Sequence, residues 1–161
     1  MSTGDLTAAA SAIDLAGDVV ERAIVKLAAE GGVDANQVIA YDLAHAAAAV
    51  ATARTLLDYG AKGDEEAGIT VAFAAEAVAD VAAKLYGREA GWGVDPAALD
   101  AARPLVAAYR DPAFLASIAG AGPRHLDDDF EMVQDTFRRF AEDKIRTIAE
   151  HIPRHNDDIP E

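Results

Sequence analysis

The sequence contains no cysteine, which excludes a disulfide framework and thiolate chemistry. Aromatic residues make up only 6% of its 161 positions, with Trp92 the one tryptophan. Basic residues are scarce: 14 Lys and Arg face 28 Asp and Glu, leaving a formal charge of −14. A surface this acidic repels phosphate backbones and anionic lipid, so nucleic acid and membrane surfaces are disfavoured as partners. Charges interrupt every apolar run before it reaches the length of a bilayer span. The opening MSTGDLTAAASAIDLAGD lacks the basic flank of a signal peptide, and a cytoplasmic location is expected. The β-branched alternation that strands need is missing. So are a glycine-rich phosphate loop after a strand, a nucleophile motif and a nucleic-acid module.

Alanine is what the chain has in plenty, within an apolar content of 52%. It has the best helix propensity and little bulk, so closely packed helices are expected. The length is enough for one domain with a sizeable core. The expected fold is all-α: an antiparallel bundle of about four helices plus a long carboxyl-terminal helix. The bundle is placed at 1–119, a linker at 120–126 and the final helix at 127–161.

The first helix is expected over Asp5–Glu30, with Leu6, Ala9, Ile13, Ala16, Val20, Ala23, Ile24 and Leu27 on its apolar face. Gly31 and Gly32 stop it. Gly17 is either a mild fault or a point of close approach. A second helix, Ala35–Tyr59, would be capped by Asp34 with Gln37 at the capping-box spacing, and ended by Gly60. Its run HAAAAVATA, from His45 to Ala53, suggests burial on more than one face at the bundle's centre. A third, Glu65–Tyr86, would be capped by Asp34's counterpart Asp64 and ended by Gly87, before a loop carrying Trp92. A fourth would start at Asp95 with Pro96 in first position and run to about Tyr109. Asp111 and Pro112 interrupt it, a short piece follows to Ile118, and GAGP, Gly120–Pro123, marks the boundary.

The final helix opens with Asp127 and Asp128 as caps and Glu131 at the capping-box spacing from Asp128. Its apolar positions are Phe130, Val133, Phe137, Phe140, Ile145, Ile148 and Ile152, in steps mostly of three or four. Pro153 and the RHNDDIPE that follows, 154–161, are expected to end it.

Candidate chemistry is thin. His151 and His155 have a helical metal-pair spacing with Glu150, Asp157 and Asp158 nearby, but Pro153 stands between them and solvated surface is the favoured account. His45, among alanines, reads as a core histidine, and His125 as exposed linker. Capping explains Asp127, Asp128, Asp129 and Glu131 better than cation binding. Arg138, Arg139, Lys144 and Arg146 form the main basic patch, accounted for by pairs such as Asp135 with Arg139 and Glu142 with Arg146. No histidine follows a glutamate by three residues, as a diiron bundle requires. No catalytic, cofactor-binding or metal residue is assigned.

Phe137, Phe140, Ala141 and Ile145, followed by Asn156, Asp157, Ile159 and Pro160, resemble the opening of the acyl-CoA dehydrogenase catalytic region, a helix F-x-x-F-A-x-x-x-I-x-P and then a polar turn. Thr147 stands where that family has proline. The stretch from Tyr41 to Gly87 is similar to the same family's carboxyl-terminal bundle, with Ala49, Ala53 and Arg54 meeting an A-x-x-x-A-R segment. The family's flavin-holding glycine turn, Q-x-x-G-G-x-G, would fall on Lys84, Gly87, Arg88 and Gly91 or Gly93. Its E-G-T base would fall on Ala119, Gly120 and Ala121, without a carboxylate. The resemblance implies the front part of a longer FAD-dependent enzyme with an extra amino-terminal bundle. In the family a glutamate removes the α-proton of an acyl-CoA thioester and the β-hydride goes to the flavin. This chain would supply neither, and its partners would be the rest of its own polypeptide and further copies. The alternative is a stand-alone helical interaction or oligomerisation module.

Overall fold

The computed structural model of the chain describes residues 3–120 and 125–156. Every regular element among them is helical. The chain divides into two compact units, Met1–Gly122 and Pro123–Glu161. Of the expected GAGP boundary, the residues after Gly120 lie outside the described set.

The first unit is an antiparallel bundle. Helix α1 spans Thr3–Ala29. It stops where Gly31 (φ 98°) and Gly32 (φ 70°) take left-handed backbone that a side chain would strain. A single turn, α2 (Gly32–Ala35), follows, and then α3 (Gln37–Gly60). Asp34 therefore lies inside α2 and does not cap the long helix, as its spacing to Gln37 suggested. Asn36 occupies the cap position, and its side-chain amide donates to the carbonyls of Glu30 and Gly32, both at 3.0 Å. Helix α4 covers Asp64–Leu85. Gly63 holds its cap position, so Asp64 is its first residue and not its cap. The acids of its first turn still oppose the helix dipole favourably.

Helices α1, α3 and α4 pack pairwise. The fourth position is filled by broken chain: α5 (Glu89–Trp92), a 3-10 turn (Asp100–Ala102), α6 (Arg103–Tyr109) and α7 (Pro112–Ser117). The single helix expected from Asp95 does not form. The Asp95 carboxylate turns back to accept from the Ala97 amide at 2.7 Å. Pro104, which has no N–H to give, sits in the first turn of α6 and separates it from the 3-10 turn. Asp111 does cap α7, accepting from the amides of Ala113 and Phe114.

The central helix is α4, not α3. It touches α1, α3 and α6, and more than half of its 22 residues are buried. The alanine run of α3 presents Ala44, His45, Ala48 and Ala51 to solvent. On α1, Ile24 is exposed, while Ala12 and Val19 join the buried stripe. Because so much of the core is alanine, its large fully buried groups, Ile13, Val71, Val78, Val81 and Trp92, carry most of the apolar stabilisation. Each contributes about 1.5–3 kcal/mol, against far less for a methyl group.

In the second unit, α8 covers Asp128–Phe140. Its cap is Asp127, whose Oδ1 accepts from the Phe130 amide at 3.0 Å, so the Asp128–Glu131 box is not used. The helix then widens into a π turn, Ala141–Ile145, closed by the Arg146 amide donating to the Ala141 carbonyl at 2.8 Å. Turns over 146–150 lead to α9 (His151–His155). The helical stretch ends within the expected tail but not at Pro153 itself, which lies in the first turn of α9, where its missing N–H has no intrahelical partner to lose. Asn156, at φ 53°, ends α9 in left-handed backbone.

Candidate functional site

The glycine turn that would hold a flavin is built from the end of α4 and from α5. Gly87 (φ 75°) and Gly93 (φ 68°) make the bends. The Gly87 amide donates to Glu89 Oε1 at 2.9 Å, and the Arg88 amide to the Leu85 carbonyl at 2.8 Å. Lys84 is paired with Asp80, and Arg88 with Asp42 on α3. A dinucleotide diphosphate needs unengaged amides or cations. Here those groups are already taken, and the carboxylates of Asp42, Asp80 and Glu89 stand beside them. These residues do not fit a flavin dinucleotide.

The A-x-x-x-A-R segment does something structural. Ala53 is buried, and Arg54 lies across Gly17 of α1 with its guanidinium 3.5 Å from Asp14. Gly17 is thus a point of close approach. The group above it is the tip of a flexible, half-exposed side chain, which can move aside. Replacing Gly17 with alanine is therefore expected to raise stability by about 0.5 kcal/mol, somewhat less than the full helix-propensity gain. A urea melt checks this; a loss would mean that the guanidinium is held more firmly than its exposure suggests.

The core reading of His45 fails, whereas His151 and His155 are exposed, as the solvated-surface account expects. His45 is exposed and rests against the Tyr41 ring, 4.5 Å between centroids. The cause is the outward face of α3 described above. His151 and His155 stack at 3.9 Å on α9, and His155 Nδ1 lies 3.0 Å from the His151 carbonyl. The nearby Glu150 is engaged by Arg154 at 2.5 Å, and Asp157 and Asp158 lie outside the described residues. Among the described residues no group of three or more metal-ligating side chains comes together. His125 is exposed, with φ 53°. Of the expected pairs along α8, Glu142 with Arg146 forms at 2.6 Å. Asn156 is described, but Ala121 and the turn positions Asp157, Ile159 and Pro160 are not.

The Tyr109 phenol titrates away from its ordinary value. Burial pushes the Tyr109 phenol up to about 12, aided by its hydrogen bond to Asp5 and the charge of that carboxylate. Between the ordinary tyrosine value of 10.0 and about 12, the unfolded chain loses this proton and the folded chain keeps it. Stability therefore falls with rising pH across that window. Tyr109→Phe is expected to flatten the fall, read as the urea midpoint at pH 10 and at pH 12.

A groove of about 310 Å³ lies between α4 and α6, beside the break that replaces the single helix expected from Asp95. Val78, Ala82, Leu85, Leu99 and Val106 line its apolar part. Its cations are committed, Arg103 to Asp100 at 2.7 Å and Arg110 to Glu76 at 2.9 Å.

The largest open feature is on α8. Phe130, Val133, Phe137, Phe140 and Ile145 are 63%, 47%, 66%, 55% and 50% exposed. The step from Phe140 to Ile145 is five residues, which in an α-helix would swing Ile145 roughly 140° away from Phe140. The π turn falls on those five residues, and its wider coil turns Ile145 back toward the line of Phe140.

No helix among the described residues is long and apolar enough to cross a membrane. No family model, curated protein or solved structure matches the chain.

Proposed function

We propose that this chain is the amino-terminal part of an FAD-dependent acyl-CoA dehydrogenase that introduces an α,β double bond into an acyl-CoA thioester. The observation that carries the proposal is the exposed apolar seam of α8. Phe137, Phe140, Ala141 and Ile145 resemble the helix that opens the family's catalytic region, and Phe137, Phe140 and Ile145 are exposed. A helix built to pack inside a domain has this character when the domain's other elements are not present to cover it. The bundle before it would be an additional domain, its glycine turn no longer serving a flavin. FAD, the acyl-CoA and the electron acceptor would be bound by the remainder of the polypeptide, and the whole enzyme would be a homo-oligomer.

The 161-residue chain alone is then expected to be colourless and inactive. A purified chain that is yellow and reduces a dye when given acyl-CoA would refute this division of labour.

The second reading is a helical association module, in which another molecule covers the seam. The charge pattern of α8 favours it. Asp127, Asp128, Asp129, Glu131 and Asp135 precede the first base of the helix, whereas Arg138, Arg139, Lys144 and Arg146 outnumber Glu142 and Asp143 after it. Helix pairs use such polarity to fix orientation.

A further inference from the structure

We propose that the seam of α8 is a self-association surface, on which a second copy of the chain lies antiparallel. The seam runs from Phe130 to Ile145, about 22 Å of helix. Taking about 200 Å² for a whole phenylalanine, its exposed apolar surface is roughly 500 Å² per copy. Two such faces together reach the roughly 1,000 Å² that a specific interface requires. The wider coil of the π turn brings Ile145 back toward the side of Phe140, which lengthens the apolar run.

Charge selects both the occupant and its direction. The front of α8 is wholly acidic and its rear is net basic. Two copies laid parallel would set five acids against five. A two-fold antiparallel pair centred on the seam sets Asp129 level with Arg146 and Glu131 level with Lys144, twice, and the contact is self-complementary as two-fold symmetry requires. With a net charge of −14, the surface elsewhere disfavours association of identical copies. The inference does not rest on the dehydrogenase proposal. In a longer enzyme the continuing polypeptide would compete for the seam.

Sedimentation equilibrium of the full 161-residue chain should give a dimer at micromolar concentration. Phe137→Glu should weaken it about a hundredfold or more, since one substitution removes an apolar contact from each copy and leaves a charge in its place. Melting of the bundle, followed by Trp92 fluorescence, should not change. Lys144→Glu with Arg146→Glu should also weaken the dimer. Mixing that variant with one carrying Asp129→Lys and Glu131→Lys should restore it. A monomeric wild type, a dimer indifferent to Phe137→Glu, or charge variants that neither weaken nor rescue would each overturn the proposal.

Discussion

Trp92→Ala should cost about 4 kcal/mol, the largest single loss expected in the bundle. Trp92 has no solvent exposure and is the largest of the fully buried side chains. It enters the core from α5, a single turn of four residues packed on α1. About half of the buried core is alanine, which has no long side chain to swing into a cavity. Trp92→Phe should cost much less, about 1 kcal/mol. The indole Nε1 finds no hydrogen-bond partner among the described residues, and a buried unpaired donor costs about 1–3 kcal/mol. Phenylalanine removes that burden while keeping most of the ring. Urea melts followed by circular dichroism test both. A Trp92→Phe loss as large as that of Trp92→Ala would show that the N–H is satisfied.

Gly60→Val should destabilise by about 3 kcal/mol for the opposite reason. A Cβ at Gly60 would lie 2.7 Å from Thr70 Oγ1 and 2.9 Å from Leu6 Cδ2, where α3, α4 and α1 converge. The backbone itself is helical, so the strain is purely one of space. Thr70 cannot yield without loss, because its hydroxyl donates to the Leu56 carbonyl at 2.9 Å inside the bundle. Gly60→Ala should show the same effect at about 1 kcal/mol. Unchanged stability in the valine variant would mean that the three helices can separate at this end.

Trp92 and Gly60 mark two limits of sequence reading. The all-α fold and the helix ends at Gly31 and Gly87 were legible, since a left-handed position after a periodic run is a local demand. Gly60 was legible as the end of a helix but not as a crossing point, which depends on Thr70 and Leu6 from distant parts of the chain. Trp92 looked like loop because its burial comes from α1, not from neighbours in sequence. Alanine misled most: it suits the inside and the outside of a helix equally, so the run at His45–Ala53 suggested a central helix where α4 takes that place. The caps at Asp34 and Asp64 each differ by one turn or less, where several polar residues compete for one cap, while Asp127 holds the cap it was expected to share with Asp128. On α8 the apolar seam was legible, and the five-residue step from Phe140 to Ile145 was in plain view. Its resolution by a π turn was not, since propensity scales carry no signal for so rare a turn.

The most direct test of the dehydrogenase proposal is the visible spectrum of the protein purified from its whole reading frame, before and after acyl-CoA is added. A bound flavin that bleaches when acyl-CoA alone is supplied is the expected result. A reading frame that stops at Glu161, or a longer protein that holds no flavin and leaves acyl-CoA unchanged, would contradict it and leave the association module standing.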